Sequence, residues 1–537
     1  MQRERVPTAS ARVPVSLADL TRPIVSAGLL LVCGLGCSHE ARTPSTDIGV
    51  NGGAAGSCGA CGGSNGQAGG GHGGTALVGK GGTASGGLGG TASGGLGGSD
   101  AGGVSGNPSG DPGGASANGG TATEQKEFVR CFPSGTGPPD NGPLLAATRS
   151  GSVLVIGPSA PSDLIPGSSG IPALAELTTA GTVLRSFTFP AAFGPELVAV
   201  APDGSVFLAG QERPGTAFGA LTLPDVEDGY YLLKLSPTFE PLAAVMVYSP
   251  GAQLNALRVD AQGDLVVGTA VANFAAGSMH PVVSKYSGNT LKQLWSTAFE
   301  HEVMPALIYG LTILPDGRIV PAGLYSRTLK IGPFVLEKPV DARSDNFVYN
   351  GWAAWLAPDD GKPIAAQTFG GTVTDFALDA QVTSSGSLRL LSAHSGGTLT
   401  LFGTSVALGD DRNAVSDLDS SGKAQRVVHF GDVSISSSKM ALGQQDQTYV
   451  AGRYGDPLGD ASARGARLMR VEPNGALGPT LSLTTGNGLT QIAVDTQGGV
   501  WLSGGWETPF EWKGQMYKPS PPGQAESCRL LLRMSGF

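Results

Sequence analysis

Cys58 and Cys61 have the CxxC spacing that redox centres and zinc sites use. A zinc site needs a second such pair or histidines at ligand spacing, and a thioredoxin-like centre needs a strand–helix–strand unit around the pair. The surrounding segment is dominated by glycine, and His72 is its only histidine. We therefore interpret the pair as a local disulfide or as two unengaged thiols, and we expect no metal site.

Two other segments resemble ligand-binding loops but lack residues that the chemistry requires. Residues 74–81 (GTALVGKG) approximate a phosphate loop, yet no Ser or Thr follows Lys80 to hold magnesium. Asp417 and Asp419 resemble the start of a calcium loop, but Val428 stands where the bidentate glutamate is needed. We interpret the two aspartates as turn residues that hydrogen-bond to the backbone.

The histidines do not form a recognisable catalytic or metal-binding pattern, and no GxSxG nucleophile elbow is present. The sequence therefore predicts no catalytic residue and no cofactor, and it leaves an enzyme open because a triad is defined by three-dimensional geometry. The six histidines are His39, His72, His280, His301, His394 and His429.

The last part of the chain is rich in aromatic residues. Trp501 lies within a predicted strand, which indicates packing in the core. Trp506, Phe510 and Trp512 follow that strand in a loop-like segment. If exposed, these three would stack on sugar rings or anchor a protein partner, whereas core packing is the alternative.

The elements that would position these residues come from one pattern that recurs between about residue 130 and residue 537. An apolar run, a turn ending in Gly, a β-branched run and a final small residue plus Gly repeat, which is the signature of repeated strand–turn–strand units. Clear copies are 197–210 (LVAVAPDGSVFLAG), 257–268, 311–323 and 492–504. The turn positions, 51 to 69 residues apart, are Gly151, Gly204, Gly263, Gly317, Gly386, Gln447 and Gly498.

A second hairpin follows each copy, so each unit has four strands. Seven such units predict an all-β fold, a seven-bladed β-propeller of four-stranded antiparallel blades spanning 127–537. A β-solenoid is the structural alternative. The last unit lacks its fourth strand, and 127–133 (EFVRCFP) resembles the missing one, so we expect the two chain ends to close the ring together.

The two cysteines in this region, Cys131 and Cys528, lie on the strands that would meet at the closure. We predict a disulfide between them, which on chain-entropy grounds would contribute about 4–5 kcal/mol less any strain. Two unrelated thiols are the alternative.

Residues 1–36 have the features of an export signal. Four arginines precede an apolar run over 24–37 that is too short for a permanent membrane helix. The run ends in Gly34-Leu35-Gly36-Cys37, which resembles a bacterial lipobox. The resemblance implies cleavage before Cys37, lipidation of that cysteine and, because Ser38 follows, location at the outer membrane or surface of a Gram-negative cell. An ordinary signal peptide is the alternative.

Between the signal and the repeats, residues 37–126 form a segment rich in Gly, Ser and Ala. It contains GGTASGGL twice without change and holds much of the chain's 85 glycines. Such a composition cannot bury enough apolar surface to offset its ordering entropy, so we expect a disordered linker. Flexible-chain scaling gives roughly 50 Å for its end-to-end distance.

The net charge of −9 and the lack of a basic run argue against a nucleic-acid partner. The repeat itself resembles the SBBP-type β-propeller repeats of bacterial exported and surface proteins. The matching elements are the Asp-x-x-Gly-like turn before a β run ending in Gly, the Lys-Leu-x-Pro hairpin at 234–237 and the Phe-Gly closures at 369–370 and 430–431. That family has no common catalytic residues.

These features together predict a surface-tethered, monomeric and non-enzymatic lipoprotein that binds protein or glycan through its blade loops. Its partners would be the membrane, through the lipid anchor, and that ligand. The alternatives are an exported polysaccharide lyase or hydrolase with a site at the central channel, and a structural envelope protein.

Overall fold

The computed structural model describes much of the chain from residue 127 onward. The predicted signal peptide (1–36) and linker (37–126) lie outside these residues. In the ranges that are described, no helix combines the length and apolar character needed to cross a membrane. The ranges are 127–133, 142–157, 171–190, 193–211, 216–223, 230–248, 252–273, 278–301, 304–337, 348–371, 374–394, 397–431, 436–454, 465–483, 488–506, 509–512, 514–517 and 528–537.

The described residues form 38 strands and one short 3₁₀-helix, so the chain is all-β. Most strands belong to seven sheets, numbered I to VII, that contain the four-stranded antiparallel repeat. The first strand, β1 (Phe128–Pro133), joins sheet VII. Sheet I holds β2 (Leu144–Ala147), β3 (Val153–Gly157), β4 (Ala173–Leu177) and β5 (Val183–Thr188). Sheet II holds β6 (Gly194–Val200), β7 (Val206–Gln211), β10 (Tyr230–Leu235) and β11 (Pro241–Tyr248), with the hairpin β8 (Ala217–Phe218) and β9 (Leu221–Thr222) inserted.

Sheet III holds β12 (Ala252–Val259), β13 (Leu265–Asn273), β14 (Ser278–Tyr286) and β15 (Gln293–Ala298). The strands β16 (Glu300–His301) and β17 (Met304–Pro305) follow. Sheet IV holds β18 (Leu307–Ile313), β19 (Ile319–Tyr325), β22 (Asn350–Leu356) and β23 (Pro363–Gly370), with β20 (Leu329–Ile331) and β21 (Phe334–Leu336) inserted. Sheet V holds β24 (Asp375–Val382), β25 (Leu388–His394), β28 (Asn413–Leu418) and β29 (Ala424–Phe430), with β26 (Gly397–Leu401) and β27 (Thr404–Gly409) inserted.

Sheet VI holds β30 (Ser436–Leu442), β31 (Thr448–Tyr454), β32 (Gly465–Val471) and β33 (Leu477–Leu483), with the 3₁₀-helix Gln444–Asp446 between the first two. Sheet VII holds β34 (Leu489–Val494), β35 (Val500–Trp506) and β38 (Cys528–Met534), with the hairpin β36 (Phe510–Trp512) and β37 (Gln515–Tyr517) inserted. Its fourth strand is β1, which pairs antiparallel with β38 and sets Phe128 opposite Arg533.

The predicted count of seven sheets was wrong by one, because the described residues contain eight sheets of three or more strands. The eighth consists of β16, β20 and β21, which come from the connection before sheet IV and from an insertion within it. Its strands are two or three residues long and follow no repeat of the apolar–turn–apolar pattern. The repeat therefore gave no signal for it.

The first strands of sheets I to VII surround a central axis. Each of β2, β6, β12, β18, β24, β30 and β34 contacts the first strand of both neighbouring sheets, and β34 contacts β2. This closed circuit of four-stranded antiparallel sheets is a β-propeller. The inner edges of these seven strands line its channel.

The strands form where the repeat predicted them because each turn glycine adopts the backbone conformation that the turn needs. Gly204, Gly317 and Gly498 have φ of +86°, +85° and +78°, a region that costs other residues energy. In sheet VI the turn glycine is absent, and the chain turns through the 3₁₀-helix instead, with positive φ at Gln445 and Asp446.

Apolar side chains fill the spaces between neighbouring sheets. One cluster joins Phe207 and Leu232 of sheet II to Leu257 and Val267 of sheet III. Trp501 is fully buried, so its predicted role in the core is confirmed. Because each sheet buries apolar residues against its neighbours, burial of about 25 cal/mol per Å² favours a closed ring.

The two ends of the propeller differ. One end, which we call the turn face, carries the short turns after the first and third strands of sheets I to VII. Neighbouring turns bond directly there: Gln444 Nε2 donates to Thr496 O at 2.8 Å, and Ser384 Oγ donates to Asp446 Oδ2 at 2.6 Å.

The opposite end, which we call the hairpin face, carries the connections after the second and fourth strands. All the inserted strands lie there, from β8–β9 to β36–β37. Their inner residues are packed: Phe218, Leu329 and Leu399 are almost fully buried in the clusters of the sheets below. The inserted strands are thus built on the rigid ring.

Candidate functional site at the mouth of the channel

A β-bulge interrupts the first hairpin in six of the seven sheets of the ring. The register shifts fall close to the hairpin face in sheets II to VII. A bulge leaves one residue unpaired and turns its side chain to a new direction, and bulges are enriched beside functional sites. The unpaired residues are Glu196, Asn255, Tyr309, Leu378, 437–438 and Thr490.

In sheets II, IV and VII, the glycine that ends the repeat explains where the bulge sits. Gly210 is paired with Pro195, next to the bulged Glu196. A Cβ atom on Gly210 would meet Gly194 O and lie 2.9 Å from Pro195 Cα, so only glycine allows this close approach of the strands. Gly504 meets the same crowding against Leu489.

Glu196 is the only charged residue at the bulged positions. It is the one exposed residue of β6, an inner strand, and therefore reaches water in the channel. Part of the Glu196 side chain is exposed, but the surrounding sheets remove much of the water around its carboxyl, and this desolvation raises the pKa of Glu196 to about 7. Among the described residues it forms no hydrogen bond and no ion pair. Its carboxyl is thus about half ionised at neutral pH.

Tyr230, at the start of β10, is the titratable neighbour of Glu196. Burial and the Glu196 charge raise the pKa of Tyr230 to about 12, so the phenol stays neutral at physiological pH. Its oxygen accepts a hydrogen bond from Gln211 Nε2 at 2.8 Å. This bond fixes the phenol beside the bulge.

The other bulged residues give the channel mouth a mixed lining. Asn255 Nδ2 is enclosed and has no acceptor in the described part of the chain. Burial and the phenol of Tyr349 raise the pKa of Tyr309, which lies 6.5 Å from the Phe376 ring, centroid to centroid. Sheet II therefore carries the acidic group, and sheets III and IV present neutral groups.

A serine, a histidine and an aspartate form a relay in sheet V. Ser392 Oγ lies 2.8 Å from His394 Nε2, and His394 Nδ1 lies 2.8 Å from Asp375 Oδ1. This connectivity matches a hydrolase triad, which sequence reasoning missed because the residues show no local motif. Ser392 is fully buried, as are its two partners to within 2%. A substrate carbonyl cannot reach that hydroxyl.

The relay instead supports the chain at the hairpin face. Asp375 Oδ2 accepts a hydrogen bond from Gly371 N at 2.6 Å, just before β24 begins. Asp375 N in turn donates to Tyr349 O at 2.8 Å. These bonds hold the connection from sheet IV to sheet V in place.

The aspartates that resembled a calcium loop have structural partners. Asp417 lies in β28 and forms ion pairs with Arg389 at 2.6 Å and with Arg426 at 2.5 Å, so the turn interpretation is wrong for this residue. Asp419 Oδ1 accepts the backbone N–H groups of Ser421 and Lys423 at 2.9 and 3.0 Å, as the turn interpretation predicts. In the part of the chain that the structure describes, no three His, Cys, Asp or Glu side chains form a group suited to a metal ion.

The predicted lipidation and local-disulfide positions, Cys37, Cys58 and Cys61, lie outside the described residues, so those assignments remain predictions.

The aromatic residues predicted to bind a ligand lie on the hairpin face. Trp506 ends β35, and Phe510 and Trp512 belong to β36. Their side chains lie outside the described part, but the register sets Phe510 opposite Tyr517. Tyr517 packs against the cluster between sheets VI and VII. The stacking role stays a prediction.

The strand register bears on the predicted disulfide. Cys131 is opposite Leu530, and Cys528 is opposite Pro133, so the cysteines are diagonal neighbours on adjacent strands. Diagonal neighbours are roughly 7–8 Å apart, whereas disulfide Cα atoms are usually about 4.4–6.8 Å apart. The bond would need a small shift of β1 along β38, and it stays a prediction.

Sequence reasoning also missed Glu196, although the repeat contains the signal. The bulged residue precedes the final glycine of its repeat by the same interval of 14 positions in sheets II, IV and VII, from Glu196 to Gly210, Tyr309 to Gly323 and Thr490 to Gly504. Counting back from that glycine locates the bulged position in these three units.

No family model matches the chain, and no curated protein matches it in sequence. Solved structures that resemble it include a streptogramin B lyase, with 10% identity, a TM-score of 0.40, and 76% of this chain and 97% of that chain covered. The β-propeller domain of the Trilobed protease from Pyrococcus furiosus has 9% identity and a TM-score of 0.38, with 72% of this chain and 97% of that chain covered. A protein of unknown function from Bacteroides caccae has 11% identity and a TM-score of 0.33, with 62% of this chain and 93% of that chain covered. The assignment to the β-propeller fold rests on the strand topology above.

Proposed function

We propose that the chain is a surface-tethered, non-enzymatic propeller that binds a protein or a glycan through its hairpin face. The observation that supports this proposal is the difference between the two ends of the ring. The hairpin face carries all the inserted strands of the described residues, whereas the turn face consists of short turns, several of which bond to their neighbours. Loops on a rigid scaffold are where binding residues concentrate.

The hairpin face also presents apolar side chains to solvent on its inserted strands. Val335 in β21 is 49% exposed, and Met516 in β37 is 54% exposed. Apolar residues held outward on short hairpins suit a macromolecular ligand, because a partner can bury them at little cost in ordering entropy. The aromatic residues Trp506 and Trp512 of the same face would add stacking surface for sugars.

A capture experiment tests the proposal. The full chain is immobilised and probed with a glycan array and with the proteins secreted by the source cells. A variant with Val335→Ser and Met516→Ser should lose most of the captured ligand. The matched control changes Leu184→Ser and Leu242→Ser, which are similarly exposed but lie on the outer strands β5 and β11. Equal retention by both variants, or none by the unaltered chain, would contradict the proposal.

The tether is part of the same proposal. Residues 1–36 would be removed as a lipoprotein signal, Cys37 would carry the lipids, and the linker 37–126 would hold the propeller away from the outer membrane. Several acyl chains on one cysteine give a stable anchor. Labelled palmitate should enter the unaltered chain and not a Cys37→Ser variant, which should also leave the membrane fraction. Label in the variant would exclude this anchor.

One observation favours the alternative, an exported polysaccharide-active enzyme. Glu196 has a pKa of about 7 and reaches the channel, which suits a general acid or base. A hydrolase of the common type needs a second carboxyl roughly 5–9 Å away, and no other acid acts on Glu196 in the described ranges. The geometry therefore fits proton abstraction better than hydrolysis. Loss of polysaccharide cleavage in a Glu196→Gln variant would establish the enzyme.

A further inference from the structure

We propose that the carboxylate of Glu196 binds the cationic side chain of a protein partner, a lysine ammonium or an arginine guanidinium, at the mouth of the channel. This inference rests on the proposed function, because it names the chemistry of the ligand that the hairpin face would take.

Glu196 is placed to bind a ligand but lacks a cationic partner among the described residues. It sits at a bulge of an inner strand, exposed to channel water and unpaired among the described residues. The described carboxylates in the core differ, since Asp495 pairs with Arg533 at 2.8 Å and Asp260 pairs with Lys285 at 2.8 Å. A carboxylate without a partner in such surroundings is stabilised by a ligand that brings the positive charge.

A single carboxylate suits an organic cation better than a metal ion. Calcium takes six to eight oxygen ligands, whereas Glu196 offers one carboxylate. An organic cation needs only that charge and an apolar wall for its stem, since lysine and arginine pack their methylenes along apolar surface. Pro195 and Leu197 flank Glu196 and are only partly buried, so they can provide that wall.

The charge of the whole chain favours a basic partner. The chain has a formal charge of −9, which attracts basic partners over long range. The strands packed against β6 add few competing charges. β2 and β7 contain no titratable residue, and β12 contains only Arg258, which pairs with Asp379 at 3.6 Å.

The remaining titratable groups are on β10. Tyr230 stays neutral because its pKa is about 12, and Lys234 lies at the turn-face end of the strand, where it acts on Asp203. The third, Tyr231, is a fully buried phenol beside Gly210. Glu196 is therefore the only group of these strands that changes charge near neutral pH. Cation binding should release a proton and follow the ionised fraction of Glu196. With a pKa of about 7, that fraction is about tenfold larger at pH 8 than at pH 6.

The test uses the full chain labelled with ¹³C at the glutamate carboxyl carbons, and the peptide acetyl-Gly-Arg-Gly-amide as probe. The same peptide with citrulline in place of arginine is the uncharged control. The Glu196 signal, assigned by its loss in Glu196→Gln, should titrate near pH 7 alone and at least one pH unit lower with the arginine peptide. Calorimetry should give a dissociation constant about tenfold smaller at pH 8 than at pH 6.

Two variants separate the site from general surface charge. Glu196→Gln should weaken binding of the arginine peptide at pH 8 about tenfold or more. Glu300→Gln should leave binding unchanged, because that glutamate is exposed on β16 and faces Lys330. Equal binding of the arginine and citrulline peptides, or unchanged binding by Glu196→Gln, would overturn the inference.

Failure of the cation site and failure of the proposed binding function give different results in these two experiments. If the capture experiment retains a ligand that depends on Val335 and Met516 while the arginine peptide does not bind, the inference fails and the binding face stands. If the arginine peptide binds through Glu196 but no macromolecule is captured, the cation site stands and the proposed function fails.

Discussion

Sheet VII and sheet II carry charge in opposite ways at the two ends of this propeller. At the turn-face end of sheet VII a charged pair is buried: Arg533 Nε lies 2.8 Å from Asp495 Oδ2, and both side chains are almost fully enclosed. On the hairpin face, Glu196 is exposed to the channel and has no partner among the described residues. The comparison indicates that the turn face holds the ring together, whereas the hairpin face retains an unsatisfied group that a ligand can satisfy.

The same contrast appears in the links between sheets. On the turn face, Arg389 of sheet V donates to Thr448 Oγ1 and to Asp446 O of sheet VI, each at 2.6 Å. Arg318 of sheet IV donates to Ser420 O of sheet V at 2.9 Å. Such bonds fix the angle between neighbouring sheets. A rigid turn face allows inserted strands to accumulate at the other end without opening the ring.

The largest expected effect comes from breaking the buried pair in the closing sheet. Asp495→Ala removes the acceptor of Arg533, of Trp501 Nε1 at 2.9 Å and of two turn N–H groups. An uncompensated buried charge should lower the free energy of unfolding by about 3–5 kcal/mol. Urea unfolding followed by tryptophan fluorescence measures the change.

The matched control for that variant is Asp360→Ala, which removes the partner of Lys362 in an exposed turn of the same face. It should leave the unfolding midpoint unchanged. If both variants behave alike, the closing pair does not stabilise the ring, and the contrast between the two faces loses its main support.

A smaller effect should follow from crowding the bulge at the other end. Gly210→Ala places a Cβ against the backbone of Gly194 and Pro195, so the two strands must separate. We expect a loss of about 1–3 kcal/mol, the usual range for overpacking. Gly194→Ala is the control from the same strand pair, because its Cβ would lie 3.6 Å from Gln211 O at ordinary contact distance. Equal urea midpoints for the two variants would show that the bulge tolerates a side chain.

These two variants also show how far the sequence determines the structure. The repeat located the second strand of each unit, but its final glycine lies within that strand and not at its end, since β13 continues five residues beyond Gly268. The structure adds that Gly210 permits a close strand approach opposite the bulge. The repeat could not reveal the eighth sheet, since β16, β20 and β21 pair over long range without a pattern of their own. Nor could it reveal the relay of Ser392, His394 and Asp375, which depends on two strands meeting.

Glu196 was only partly predictable from the sequence. Its position could be counted from Gly210, but its raised pKa depends on how closely the surrounding sheets exclude water, which no local pattern encodes. The aromatic residues around Trp512 were found by composition instead. Composition indicates which residues could bind a ligand, whereas the fold of the ring determines where those residues lie.

The smallest expected effect is a change in how stability depends on pH. The folded-state pKa of Glu196, about 7, lies above its ordinary value of 4.5, so the folded chain binds the proton more tightly than the unfolded chain. By linkage, this contribution to stability is fully present below about pH 4.5 and is lost as the pH rises towards 7. Glu196→Gln removes the ionisation, so relative to the unaltered chain it should gain stability between pH 4.5 and pH 8. Because Glu196 is exposed, solvent screening reduces the gain. Urea midpoints of both proteins at the two pH values measure it, with Glu300→Gln as the exposed-carboxyl control. A gain that is equal at both pH values would mean that the channel leaves Glu196 as well hydrated as any surface acid, and the difference between the two faces would then rest on the turn-face ion pairs alone.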